Sequence, residues 1–171
     1  MANFDPAFEE MIHNEGGYQL TDISGDRGGK TYAGISQKYH PDWAGWALAD
    51  AHAGEEQLAP LVQAFYKEKF WDQVGGDDIT DQQVAASIFD FAVNGGIPVA
   101  SRLAQGIVGA NVDGMIGQQT VGKINEYDSE LFLAKFALAK IQRYAKICTN
   151  DSGQKKFLLG WINRALEGVV D

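Results

Sequence analysis

Two groups of residues near the start of the chain have the types and spacing for acid–base chemistry. Glu15 follows Phe8, Met11 and Ile12 at three- and four-residue intervals, so it continues an apolar helical stripe. A side chain so placed points toward packed surface, and the last turn of a helix is the negative end of its dipole; both disfavour a charged carboxylate. A carboxyl that keeps its proton near neutral pH is what a general acid requires, and a glycosidic oxygen is a typical receiver of that proton. The competing reading is a helix-end glutamate that simply reaches solvent. The next stretch holds Asp22, Asp26 and Thr31, with Gly25, Gly28 and Gly29 interspersed. Hydrolysis needs a second group to position water or steady an oxocarbenium-like transition state, and a loop acid facing a helix-end acid can bracket a sugar. An ordinary Asp/Gly turn is the competing reading of that loop.

The elements that must position these groups are well signalled. Asp5 suits an N-cap and Pro6 the first helical position, Glu9 and Glu10 favour the positive end of the dipole, and Gly16-Gly17 ends the helix. Residues 18–35 have β-capable ends and a Gly/Asp-rich middle, which predicts a short hairpin with a long loop. Beyond it the periodicity predicts helices near 56–71, 82–94, 97–108, 117–125, 129–148 and 154–168. Asp81 reads as an N-cap for the apolar face of Val84, Ala85, Ile88, Phe89 and Ala92, Gly95-Gly96 closes that helix, and Pro98 opens the next. The fold class expected is α+β, mostly helical, with six to seven helices around one small β-hairpin.

Composition narrows the function classes. A chain of 171 residues is the size of one domain, and 45% apolar with 22% charged residues is a globular balance. Fourteen basic against 23 acidic residues give a formal charge of −9, with no basic stripe, so nucleic acid is not an expected partner. One cysteine, Cys148, and three histidines make neither an internal disulfide nor a zinc set, so no metal or other cofactor is expected. No apolar run reaches the ~18 residues of a membrane span, and the acidic N-terminus lacks the basic start of a signal peptide.

Several other residues invite a reading. Asp90, between Phe89 and Phe91, reads as a hydrogen-bonded structural acid, and Asn94 beside Gly95-Gly96 could contact a sugar amide or cap its helix. Tyr32, next to Thr31, suits a cleft wall, whereas Trp71 ends an apolar stripe and belongs in the core. Asp113-Gly114, followed by Gly117 and Thr120, reads as a turn and a helix start that need no ligand.

Taken in order, four blocks carry a family likeness. They are Glu15-Gly16-Gly17-Tyr18; Asp26-x-Gly28-Gly29-x-Thr31 with Gly34-Ile35; Phe89 to Asn94 with Gly96; and Val112-Asp113-Gly114-x-Ile116-Gly117-x-x-Thr120 followed by Gly160-Trp161-x-Asn163-Arg164. The first two resemble the N-terminal signature of glycoside hydrolase family 108, a family of N-acetylmuramidases and endolysin-like proteins, some of them secretion activators. The others resemble the peptidoglycan-binding region that follows in that family. The likeness covers roughly residues 5–168. It implies a lysozyme-like fold in a single domain over 1–171, with a hairpin lobe about 1–55 and a helical lobe about 85–171. It also implies hydrolysis of the β-1,4 bond between N-acetylmuramic acid and N-acetylglucosamine, Glu15 as the acid, and Asp26 with Thr31 holding the attacking water. Here the loop after Tyr18 is two residues longer than the family's usual one and lacks its prolines, so Asp22 rivals Asp26. Tyr18, Tyr32 and Asn94 are the candidate substrate contacts. Peptidoglycan strands are the expected partner of a monomer without stable membrane association. Such a chain would be made in the bacterial cytoplasm and reach the wall through a pore or a dedicated export route. A lytic transglycosylase, and a wall-binding or secretion-accessory protein without turnover, are the alternatives.

Overall fold

The first helix, α1 (Phe4–Asn14), forms because Phe4, Ala7, Phe8, Met11 and Ile12 all fall on one buried face. In the computed structural model, which describes residues 1–21, 29–167 and 169, its N-cap is Asn3 and not Asp5. The Asn3 side chain accepts from the Asp5 N–H at 3.1 Å. Pro6 is therefore the third helical residue, still within the first turn, where no intrahelical N–H bond is lost. At the other end Gly17 N–H reaches Ile12 O at 2.8 Å and Gly16 N–H reaches His13 O at 3.1 Å. Gly16 has φ +90°, and this paired closure leaves Glu15 as the C-cap.

The chain then makes three two-residue strands, β1 (Leu20–Thr21), β2 (Thr31–Tyr32) and β3 (Ile35–Ser36), antiparallel in the order β1-β2-β3. The single hairpin expected is thus a three-stranded sheet. The added hairpin turns on Ala33 and Gly34, both at positive φ (48° and 79°), with Tyr32 opposite Ile35. Ala-Gly is a weak sequence signal for such a turn, because alanine is disfavoured at positive φ.

A five-residue helix, α2 (Trp46–Asp50), too short to show periodicity, precedes α3 (Glu55–Tyr66). The helix expected to run to residue 71 instead widens into a π-type turn over Lys67–Trp71 and two 3₁₀ turns. This break delivers Trp71 to the core with no exposed surface, its Nε1–H donating to Asp77 Oδ1 at 2.7 Å. Gly76 lies so flat on the indole that a Cβ there would stand 2.3 Å from the ring. Four of the remaining helices follow the periodicity closely, α4 (Gln82–Gly95), α5 (Ile97–Val108), α6 (Gln118–Glu126) and α7 (Ser129–Asn150), whereas the helix expected over 154–168 starts as a 3₁₀ turn over Ser152–Phe157 before α8 (Leu158–Leu166). Asp81 caps α4 through Val84 N–H at 2.9 Å, as its sequence context predicts.

Helix α4 is the central strut, burying Val84, Ala85, Ile88, Phe89, Phe91 and Ala92 against α1, α5 and α7. One contiguous apolar cluster runs from Ala2 through Trp71 and Phe89 to Ala165, so both ends of the sequence pack into it. The architecture is α+β, mostly helical and lysozyme-like, with eight α-helices among the described residues. The turn between α5 and α6 is built on Gln105, only 1% exposed. Its amide oxygen accepts from Gly114 N–H at 2.9 Å, and its Nε2 donates to Asp113 Oδ1 at 2.8 Å and Met115 O at 3.0 Å. Asp113 Oδ1 also accepts from Met115 N–H at 2.9 Å.

Candidate active site

Glu15 ends α1 with φ −81° and ψ 2°, and the glycines behind it turn the chain away so that its side chain is left about one-quarter exposed. Its Oε1 accepts from Arg164 Nη2 at 3.1 Å. The same Nη2 donates to Asp90 Oδ1 at 2.8 Å, and Arg164 Nε approaches Asp90 Oδ2 at 3.4 Å. Three helices meet here: α1 brings the glutamate, α4 the aspartate and α8 the arginine. Burial works against the Arg164 charge, but Asp90 and then Glu15 outweigh it and push the guanidinium above its ordinary range. Asp90 is a hydrogen-bonded acid, in line with its sequence reading.

The other carboxylate oxygen faces the sheet. A Cβ at Gly34 would lie 3.6 Å from Glu15 Oε2 and 2.7 Å from the Tyr66 hydroxyl, so the absence of a side chain at Gly34 lets the β2–β3 turn pack closely on both. Tyr66 donates to Ala33 O at 2.8 Å. Burial, with the Glu15 charge adding to it, drives the Tyr66 hydroxyl well above the usual phenol range, so it serves as a neutral donor. The surroundings of Glu15 are therefore not the plain apolar stripe that spacing predicts: a cation and a phenol flank it. Arg164 is the residue that sequence reasoning passed over. It stands in the Gly160-to-Arg164 block but is separated from Glu15 by 149 positions, and no local pattern links them.

The remaining candidates spread around this corner. Thr31, half-buried in β2, shares a hydroxyl–hydroxyl hydrogen bond with Thr21 across the β1–β2 pair. Asp26 and its rival Asp22 lie outside the described residues. Tyr32 is 6% exposed, with its ring stacked on Trp43 at 6.0 Å, so it offers little face to a cleft. Tyr18 is half-buried, and its hydroxyl is pushed up by burial and by Glu55, Tyr32 and Glu9. Asn94 is exposed on α4 and donates to Asp90 O at 2.8 Å, one turn back along its own helix.

Behind Arg164 a cavity of 160 Å³ is lined in part by Glu10, Asn14, Asp90, Lys140 and Glu167. Lys140 is 5% exposed, and burial lowers its pKa. Among the described residues no group of three or more His, Cys, Asp or Glu side chains could hold a metal ion. Nor, among them, is any helix long and apolar enough to cross a membrane.

With this geometry in view, the chain can be set beside known proteins. Residues 8–96 match the family described as Glycosyl hydrolase 108, and residues 99–166 match the one described as Predicted Peptidoglycan domain. No curated protein matches the chain. Among solved structures it is similar to Brucella abortus SagA, with 24% identity, a TM-score of 0.68, and coverage of 98% of this chain and 96% of that one. Glu15, Thr31 and Asp90 fall in the first matched region and Arg164 in the second, so the ion pair at Glu15 joins the two.

Proposed function

We propose, from the premise that this chain belongs to the glycosyl hydrolase 108 family and is a peptidoglycan hydrolase, that it is an N-acetylmuramidase with Glu15 as its general acid. The bond cleaved is the β-1,4 link between N-acetylmuramic acid and N-acetylglucosamine. The observation that carries this reading is the Glu15 carboxyl itself. It is partly shielded at a helix end, with one oxygen tied to Arg164 and the other beside the side-chain-free Gly34. A proton given from that carboxyl to the glycosidic oxygen lets the leaving sugar depart as an alcohol, while charge develops on the ring left behind. Asp26 and Thr31 are proposed to hold the attacking water, Thr31 from the strand that its hydrogen bond to Thr21 keeps in place.

Mass analysis of muropeptides after digestion tests the reading. Products with reducing N-acetylmuramic ends are expected. Anhydro ends would assign a lytic transglycosylase, which uses a sugar hydroxyl where a hydrolase uses water, and intact strands would assign a non-catalytic wall-binding role.

A further inference from the structure

We infer that Arg164 is a positioning residue that dictates which oxygen of Glu15 carries the transferable proton. The inference rests on Glu15 being the acid. A guanidinium is all donor and has no acceptor, so the carboxyl oxygen against it must act as an acceptor. Arg164 Nη2 meets Oε1 at 3.1 Å, which leaves the acidic hydrogen to Oε2. That oxygen lies beside Gly34, where a Cβ would come within 3.6 Å of it and where the residue bears no side chain. The proton is therefore presented on the side of the sheet turn, away from the guanidinium. Asp90 makes the arrangement rigid: its two oxygens receive Nη2 at 2.8 Å and Nε at 3.4 Å, so the guanidinium plane is fixed from α4 while it reaches across to α1. A helix at the far end of the sequence thereby sets the chemistry of a residue at its start.

The test uses the full chain on solubilised glycan strands, with kcat and KM compared for Arg164→Gln, Arg164→Lys and Asp90→Asn. The groups facing Glu15 are Arg164 from α8, Asp90 from α4 behind it, and Tyr66 from α3; Lys140 on α7 acts on the same Asp90–Arg164 pair. In Arg164→Gln we expect kcat to fall at least about tenfold with KM within about twofold, because an interaction that matters only to proton transfer is lost. Arg164→Lys should recover part of kcat. A wild-type kcat in Arg164→Gln would overturn the inference and leave Arg164 as a structural tie. If that variant does not melt cooperatively, Asp90→Asn decides: a smaller loss of kcat is expected, and none at all overturns the inference. Glu15→Gln run in parallel separates the two levels. Its retained activity would remove the general-acid reading itself, whereas an inactive Glu15→Gln beside an unaffected Arg164→Gln removes this inference alone.

Discussion

The molecule holds two polar networks that look alike on paper and differ in how they end. Around Gln105 the bonds close on themselves: both ends of the amide are used, and Asp113 is filled by Gln105, Met115 and Asn111. Those contacts hold the Asp113 carboxyl below its ordinary range, and all of its partners lie within one turn and the helix beside it. Around Arg164 the bonds join three helices, and the second oxygen of Glu15, Oε2, lies beside Gly34 and not against the guanidinium. A network that satisfies itself fixes a shape, while the other includes the carboxyl proposed as the acid. Ser101 contrasts with both, since its buried hydroxyl has no hydrogen-bond partner among the described residues.

The sharpest way to break this comparison is to disarm each network at its centre. Glu15→Gln keeps size and the acceptor for Arg164 while removing the proton, so turnover should fall by about 10²–10⁴ with an unchanged melting curve. Clearing of a wall suspension at near wild-type rate would end the assignment of Glu15. Gln105→Leu keeps size in the other network but strands the Gly114 N–H and the Met115 carbonyl. That should cost about 1–3 kcal/mol of stability without touching the activity of the folded fraction. If specific activity fell with it, the turn between α5 and α6 would belong to the site after all.

Gly34→Ala probes the seam between fold and function. The position has φ +79°, and the new Cβ would stand 2.7 Å from the Tyr66 hydroxyl. A left-handed residue with a side chain costs about 1–2 kcal/mol, so both the melting temperature and turnover should drop. A variant that is less stable but fully active would show that the packing of this turn on Tyr66 and Glu15 serves the fold alone.

Much of this could be read from the chain, for reasons that differ by residue. Asp81 and Pro98 mark helix starts by local chemistry, and the apolar spacing of α4 through α8 gives those helices within a few residues. The place of Glu15 at the end of α1 is legible because the apolar positions before it and the two glycines after it are contiguous in sequence. Asn3 was missed as a cap because Asp5 and Pro6 make an equally sound helix start two residues later. The π-type turn at Lys67–Trp71 was hidden, since tertiary packing of Trp71 against Gly76 and Phe89 overrides a helical pattern that runs on unbroken. Arg164 was beyond reach for a simpler reason: its partners are 74 and 149 residues away, and a pairing at that distance leaves no periodic trace.

The smallest effect concerns the cost of the ionic network. Lys140 is 5% exposed and sits over Phe136 at 5.4 Å and Phe91 at 6.0 Å, close enough to Asp90 and Arg164 to feel both charges. Burial lowers its pKa, which means the folded chain holds that proton less tightly than the unfolded chain does. Wherever the unfolded state binds more protons, stability rises with pH. The wild-type protein should therefore gain stability as pH rises through the lowered pKa toward the ordinary lysine value of about 10.4, and should carry the full penalty of a buried charge below that window. Lys140→Met removes the charge, keeps most of the volume and retains contacts to the two rings. At pH 7 we expect it to raise the melting temperature by roughly 2–4 °C, which is about 1 kcal/mol for a chain of this size. The gain should shrink as pH climbs through the window, and turnover should stay within about twofold because the ammonium does not touch Glu15. A melting temperature that falls at pH 7 would show that the ring and Asp90 contacts outweigh the burial of the charge, and that the Arg164 network, like the one around Gln105, is held together at no net cost.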